Sequence, residues 1–145
     1  MAKILITDGG YSHTLEIIRS LNKLGNVIDC IGHPLCLSRF SKSINKCAYN
    51  QTYFNENNIE KFLRFLEKNN YDYLIPIGAK SVDLVNKFRD QIQEKTIINL
   101  APKESINICL KKRQLLQIAR ELNIPTPKTF TKLELENPQR LNRKF

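Results

Sequence analysis

The first 31 residues contain, in order, the patterns of a strand, a glycine turn, a helix and a second strand. Residues 3–7 form an apolar run with β-branched content, and Asp8, Gly9 and Gly10 follow as a turn signal. Gly25 and Asn26 separate the helical pattern from the second apolar run, residues 27–31. The helical spacing is carried by Leu15, Ile17, Ile18, Leu21 and Leu24. This order predicts a βαβ unit and a parallel sheet.

The same alternation repeats along the next part of the chain. Strands are predicted over residues 46–53, 73–77 and 96–100, with helices over 59–70 and 82–88. About five strands alternating with helices in roughly 100 residues are typical of an open α/β fold. We expect a Rossmann-like parallel sheet in the order 3-2-1-4-5, with helices on both faces. A chain of 145 residues needs no disulfide or metal to hold such a core.

The sequence changes character after residue 100. A short helix is predicted over residues 105–110 and a longer one over 111–122, closed at Asn123. Pro125 and Pro127 then predict an extended exit. The tail beyond residue 127 is poor in apolar residues, so from about Thr131 we expect poor order or contacts with another chain. The chain looks cut off there.

The net charge of +9 is unevenly distributed. From Lys111 onward there are nine Lys or Arg residues and three Glu residues, a net charge of +6. The first 110 residues carry a net charge of +3. Phosphate ligands, nucleic acid, a membrane surface or an acidic neighbour would each fit a basic balance. No apolar run reaches the roughly 20 residues of a membrane span. With no signal-peptide pattern and four cysteines at unpatterned spacings, we expect a cytoplasmic protein with free thiols.

Two loops are candidates for a ligand site. Residues 8–13 follow the first strand, and residues 75–81 follow the fourth, so the two should face each other at the switch point of the sheet. Gly9, Gly10 and Gly78 would let backbone N–H groups approach an anion, and the helix start near Ser12 would add a favourable dipole. Ser12 or Thr14 could cap the first helix, and Ser81 the next. The alternative is that both loops only turn the chain.

Other kinds of site find less support. The pattern G-x-G-x-x-G is absent, and Asp29 is expected to alternate outward from its strand, which disfavours dinucleotide binding. Cys30, His33 and Cys36 lack the C-x2-C knuckles usual in structural zinc sites. No serine or cysteine elbow accompanies either histidine, so nucleophilic catalysis is not indicated. The sequence thus predicts no metal ligands and no catalytic residues.

The ordered set of motifs resembles the ATP-grasp superfamily. Lys111-Lys112, ten residues and then Asn123-Ile124-Pro125-Thr126-Pro127 are similar to the Asp-Lys…Gly-Ile-Pro-x-Pro stretch that leads into the ATP-grasp fold. The start at residues 3–10, Ser38-Arg39-Phe40-Ser41, and Ile75-Pro76-Ile77-Gly78 with Ser81 resemble the preceding domain. The likeness is greatest to carbamoyl-phosphate-synthase-like and other carboxylate–amine ligases, and covers residues 3–130.

The resemblance implies an organisation and a chemistry. Residues 1–105 would be the pre-ATP-grasp domain, 106–130 a linker helix and entry to the ATP-grasp fold, and 131–145 the start of that fold. ATP and magnesium would activate a carboxylate as an acyl phosphate, which an amine then attacks. Lys112 matches a lysine that contacts nucleotide in some members, and Gly9, Gly10 and Gly78 match loops facing the substrate cleft.

The resemblance also defines the expected partners: a small-molecule carboxylate, an amine and the remainder of the ATP-grasp domain. Lys111, Asn123 and Ala79 depart from the family pattern, and the body of the ATP-grasp fold is missing. We therefore expect no catalysis and no tightly bound ATP or magnesium on this chain alone. The alternative is a stand-alone α/β module for a nucleotide or nucleic acid, although few aromatics accompany the basic residues. The sequence does not define the oligomeric state, and a homodimer is one of the alternatives.

Overall fold

A computed structural model describes residues 1–49, 54 and 56–127. Its strands are β1 (Lys3–Ile6), β2 (Val27–Gly32), β3 (Lys46–Tyr49), β4 (Tyr73–Ile75) and β5 (Ile97–Ile98). Its α-helices are α1 (Ser12–Lys23), α2 (Ile59–Asn69), α3 (Ala79–Lys87), α4 (Arg89–Gln93), α5 (Lys103–Cys109) and α6 (Lys112–Glu121). Short 3-10 helices cover Leu37–Phe40 and Glu56–Asn58.

The five strands form one parallel sheet in the order β3-β2-β1-β4-β5, with helices on both faces. The predicted α/β fold and strand order are confirmed. The predicted strand over 46–53 is present at Lys46–Tyr49, and its remaining positions lie outside the described residues. Because β1 lies between β2 and β4, the crossovers on its two sides leave in opposite directions, which makes the β1–β4 boundary the switch point.

Alternating side chains of the central strands fill two apolar cores. Leu5 packs with Phe62 on the face that carries α2, α3 and α4, whereas Ile4 and Ile6 pack with Ile18 on the face that carries α1. Burying a side chain as large as Phe62, which is fully covered, contributes about 1.5–3 kcal/mol. Both faces of the sheet are therefore covered, as parallel sheets require.

Asp29 differs from the prediction that it alternates outward. It is 2% exposed, and its carboxylate accepts hydrogen bonds from the hydroxyl of Tyr71 and the side-chain amide of Asn45, each at 2.8 Å. The strand has no outward face, because helix α2 and its neighbours cover that side of the sheet. A buried carboxylate is kept there by its two donors.

The chain divides into two compact units, Met1–Leu110 and Lys111–Phe145. Helix α5 belongs to the first unit, because the Asn86 amide of α3 donates to the carbonyl of Lys103 and to the side-chain oxygen of Asn107. The linker predicted to begin at residue 106 thus starts inside a helix that packs on α3. In the second unit, α6 ends where predicted, with Asn123 in the left-handed conformation at φ 55°. The tail expected to be poorly ordered from Thr131, and the domain start at 131–145, lie outside the described residues.

Candidate functional site

Two loops meet where β1 and β4 end side by side. The carboxylate of Asp8 accepts a hydrogen bond from the N–H of Gly78 at 2.8 Å and another from the hydroxyl of Thr7. The Thr7 hydroxyl oxygen in turn accepts from the N–H of Ile77 at 3.0 Å. Residues about 70 positions apart in sequence are thereby locked together at the switch point.

Asp8 adopts an uncommon backbone conformation to make these contacts. Its φ is 60°, in the left-handed region, and its carbonyl accepts the N–H of Tyr11 at 3.1 Å as the chain turns into α1. Aspartate tolerates this region better than most residues, at a cost on the order of 1 kcal/mol. A strained residue at the carboxyl end of a central strand is typical of a functional loop.

Gly9 is held on both sides by the backbone. Its N–H donates to the carbonyl of Ile31 at 3.0 Å, and its carbonyl accepts from the N–H of Ser38 at 3.1 Å. A Cβ at this position would lie 2.6 Å from the sulfur of Cys30. Glycine is thus required for close packing, and the N–H of Gly9 is already paired with the Ile31 carbonyl. The assignment of Gly9 to a ligand site stays a prediction.

The other two glycines differ from each other. The Gly78 N–H is taken by Asp8, and a Cβ on Gly78 would lie 2.9 Å from Asp8 Oδ1 and 3.2 Å from the Tyr11 ring. Gly10 is exposed with open space around its Cβ position, and none of the described residues accepts its N–H. Of the three predicted glycines, Gly10 alone has a backbone N–H without an acceptor among the described residues.

The two predicted serines lie at helix starts but do not cap them. Tyr11 occupies the N-cap of α1 and Gly78 that of α3, in each case without a side-chain cap, so the predicted caps at Ser12, Thr14 and Ser81 are wrong. Ser12 is exposed on the first turn of α1. Ser81 is 4% exposed and borders the cleft described next. Both remain near the loop pair, with no acceptor role in the helix ends.

A cleft of about 380 Å³ lies beside the loop pair. Its volume is at the lower end of the range for small-molecule sites. The lining side chains come from the loop after β1, from α3 and from the segment before α2: Asp8, Phe54, Glu56, Lys80, Ser81, Asp83 and Leu84. A larger cavity of about 600 Å³ lies near the strand starts, lined by residues such as Met1 and Tyr73. Ligands of open α/β sheets bind at the carboxyl ends of strands, so the smaller cleft is the candidate.

The cleft is mainly acidic. Three carboxylates and one ammonium line it, and Glu56 is already engaged by Lys87 in an ion pair of 2.5 Å. Asp8 and Asp83 have no cationic partner among the described residues. Their charge favours a cationic group of a ligand, whereas Lys80 on the first turn of α3 favours an anionic one.

Sequence reasoning did not select Asp8, Lys80 or Asp83 as site residues. Asp8 was detectable in principle, because an acidic residue directly after the first strand lies at the ligand edge of an open sheet. Lys80 and Asp83 lie on the helix after β4, and nothing local distinguishes them from ordinary surface charges.

The predicted nucleotide contact, Lys112, lies in the second compact unit. It is exposed on the first turn of α6, beside the exposed Lys111 and Arg113. Within the described part of the chain, no group of three His, Cys, Asp or Glu side chains is arranged to hold a metal ion. None of the described helices is both long and apolar enough to cross a membrane.

Comparison by sequence finds no match: no family model and no curated protein matches this chain. Solved structures do match. Glycinamide-RNase-transformylase T from Mycobacterium tuberculosis superposes with a TM-score of 0.62 at 16% identity, over 94% of this chain and 38% of that one. An L-amino acid ligase from Bacillus licheniformis gives 0.66 at 13% identity, over 94% and 33%.

The biotin carboxylase domain of a single-chain bacterial carboxylase gives a TM-score of 0.65 at 16% identity, over 92% of this chain and 32% of that one. This chain thus spans about a third of the length of the structures it matches. At such identities the likeness establishes the fold. All three are ATP-grasp proteins, matched over their N-terminal domain, and that N-terminal domain fold is the fold of this chain.

Proposed function

We propose that this chain is the substrate-side N-terminal domain of an ATP-dependent carboxylate–amine ligase. The observation that supports this most is the superposition of more than nine-tenths of the chain on about a third of several ATP-grasp enzymes. In such an enzyme, ATP and magnesium would activate the carboxylate as an acyl phosphate. Both would be held by the remainder of the ATP-grasp domain.

The role of this domain is to hold and orient the amine-bearing substrate. Asp8 Oδ2 accepts both hydrogen bonds, one from the Thr7 hydroxyl and one from the Gly78 N–H of the facing loop, while Oδ1 has no hydrogen-bond donor among the described residues. Asp83 borders the same cleft and has no ion pair among the described residues. An ammonium group between these carboxylates would gain two charge-assisted contacts.

The same cleft also suits an anionic group of the substrate. Lys80 is on the first turn of α3, where free backbone N–H groups and the helix dipole also favour negative charge. Gly10 and Ser12, exposed in the facing loop, would supply further backbone and hydroxyl donors. A substrate with an amino group and an anionic group, such as an amino acid, combines both features.

The test uses the full-length protein. ADP release from MgATP is measured with a panel of carboxylates and amines, supplied alone and in pairs. The proposal expects release that depends on both components and yields an amide. ATP turnover that depends on neither the carboxylate nor the amine would count against the proposal. So would the absence of turnover with every pair.

Residue assignment is tested separately in the active pair. Asp83→Asn should raise the KM of the amine about tenfold, equivalent to roughly 1.4 kcal/mol, and leave the KM of ATP unchanged. Asp90→Asn is the matched control, an exposed aspartate on α4 outside the cleft. Equal effects of the two substitutions would remove Asp83 from the site.

A further inference from the structure

Three of the four cysteines converge beneath the β1–α1 loop. Cys30 lies in β2, in register with Cys47 on the neighbouring edge strand β3. Cys36 directly precedes the 3-10 helix Leu37–Phe40, and its sulfur lies 3.7 Å from that of Cys47. All three are free thiols. Two sulfurs in van der Waals contact need only a small shift to reach the bonded distance of about 2 Å.

The three thiols differ in access. Cys30 is fully buried and Cys36 is 4% exposed, whereas Cys47 is half-buried on the strand at the edge of the sheet. A small reagent in water therefore reaches Cys47 first. Cys36 is sheltered from it but lies in contact with the Cys47 sulfur.

The pKa values of Cys47 and Cys36 also differ, and the lower one belongs to the more accessible thiol. The neighbouring Cys30 thiol lowers the pKa of Cys47 to about 6, with further help from the Cys36 thiol and the Arg39 charge and against the effect of burial. Burial raises the pKa of Cys36. At neutral pH the accessible sulfur is thus mainly thiolate, the nucleophilic form, and its neighbour mainly thiol.

We propose that Cys47 and Cys36 are an oxidisable pair, in which Cys47 reacts with a peroxide-class oxidant and Cys36 then closes an intramolecular disulfide. In the first step the Cys47 thiolate attacks one peroxide oxygen, the O–O bond breaks, and hydroxide leaves a sulfenic acid on Cys47. In the second, Cys36 attacks the Cys47 sulfur, forms the S–S bond and displaces hydroxide. The Cys36 proton and one from solvent convert the two hydroxides to water, so two electrons pass from the sulfurs to the peroxide.

The bond would alter the packing beneath the candidate site. A Cβ on Gly9 would lie 3.1 Å from the Cys36 sulfur, and one on Gly32 would lie 2.7 Å from it, so this sulfur supports the β1–α1 loop. Moving Cys36 towards Cys47 removes part of that support. We therefore expect oxidation to link Cys36 covalently to strand β3. We also expect it to loosen the loop of residues 8–13.

The test is peptide mapping after treatment of the full chain with a stoichiometric amount of hydrogen peroxide. Cys109→Ser serves as the background, since Cys109 is the exposed thiol outside the cluster. Two thiols should be lost together, and tryptic digestion should yield a peptide pair joined through Cys36 and Cys47. Cleavage after Arg39 and Lys46 separates the two, and fragmentation distinguishes Cys36 from Cys30, which shares its peptide.

Two further variants define the order of events. Cys36→Ser should leave a sulfenic acid on Cys47 that dimedone traps, and Cys47→Ser should leave Cys36 reduced. If either variant fails to fold, peptide mapping of the Cys109→Ser protein still tests the proposal. A Cys30–Cys47 bond, oxidation of Cys36 before Cys47, or further oxidation of Cys47 without a disulfide would each overturn the proposal.

Discussion

The carboxylate of Asp8 accepts the N–H of Gly78 at 2.8 Å, which ties the end of β1 to the end of β4. The contact adds to the strand pairing of β1 with β4 at the switch point of the sheet. It fixes the loop of Asp8 although that residue has a φ of 60°. This carboxylate therefore contributes both to the stability of the fold and to the shape of the candidate site.

Replacing Asp8 should destabilise the protein by a large amount for a loop residue. Asp8→Ala removes the acceptor of the Gly78 N–H and the Thr7 hydroxyl, and we expect a loss of about 1.5–3 kcal/mol in the free energy of unfolding. Asp8→Gly should lose about 1 kcal/mol less, since glycine adopts a positive φ without strain. Urea denaturation measures both.

Asp83→Ala is the control for this pair. Asp83 borders the same cleft but is exposed and has no ion pair or hydrogen bond among the described residues, so a change within about 0.5 kcal/mol is expected. If Asp8→Ala were as mild as the control, the contact with Gly78 would not stabilise the fold.

Substitution by alanine should have opposite effects on stability at the two adjacent glycines of the first loop. The Cβ of Gly9→Ala would lie 2.6 Å from the Cys30 sulfur, a clash in a filled core that costs about 1–3 kcal/mol. Gly10→Ala meets no atom within 4 Å and should be neutral or slightly stabilising. Thermal unfolding of the two variants, measured side by side, checks this. Recovery of stability in Gly9→Ala/Cys30→Ala would identify the sulfur as the cause.

The fold was predictable because its signals are local. Apolar runs rich in β-branched residues marked the strands, glycine turns bounded them, and their alternation with helical spacing led to the parallel sheet and its order. The prediction that the Asp29 side chain points outward was wrong for a physical reason. Alternation predicts an outward side chain only where a strand has a solvated face, and β2 is covered on both sides. Its donors, Tyr71 and Asn45, come from distant parts of the chain.

The candidate site was predictable in its place and less so in its chemistry. Topology put the loops of Gly9 and Gly78 at the same edge of the sheet. The acceptors of their N–H groups, Ile31 and Asp8, depend on tertiary contacts that spacing does not encode. The same holds for the acidic character of the cleft, to which Asp83 contributes from a helix.

Tyr71 should make stability fall at alkaline pH. Burial, together with the hydrogen bond to Asp29, raises the pKa of the Tyr71 phenol above its ordinary value of 10.0. Above that pH the unfolded chain loses the phenolic proton while the folded chain keeps it. The unfolded state then binds fewer protons, so the free energy of unfolding drops by up to about 1.4 kcal/mol per pH unit.

Tyr71→Phe isolates this effect. The variant should be less stable at neutral pH by about 1.5–3 kcal/mol, because Asp29 loses a buried donor, and its stability should depend less on pH above 10.0 than that of the parent. Tyr73→Phe, at a 39% exposed position without a hydrogen bond among the described residues, is the control. Parallel pH profiles for the parent and Tyr71→Phe would contradict the assignment.

Cys47 should be alkylated fast under mildly acidic conditions. With a pKa of about 6, its thiolate fraction is nearly complete by pH 7 and falls tenfold per unit below the pKa. Iodoacetamide labelling followed by mass spectrometry should give a rate for Cys47 that levels off above neutral pH. Arg39→Gln should raise the midpoint, since its charge helps to hold the thiolate. A rate still rising steeply from pH 8 to 9 would be incompatible with this environment.

The isolated chain should bind MgATP very weakly. The resemblance assigns it one nucleotide contact, Lys112, which is exposed on the first turn of α6. A charge-assisted contact contributes about 1.5–3 kcal/mol, whereas micromolar binding needs roughly 8 kcal/mol. Calorimetry should therefore detect no saturable binding at micromolar nucleotide, and Lys112→Ala should behave as the parent does. A dissociation constant near micromolar, lost in Lys112→Ala, would instead favour a stand-alone nucleotide-binding module, because the chain would then hold a complete site of its own.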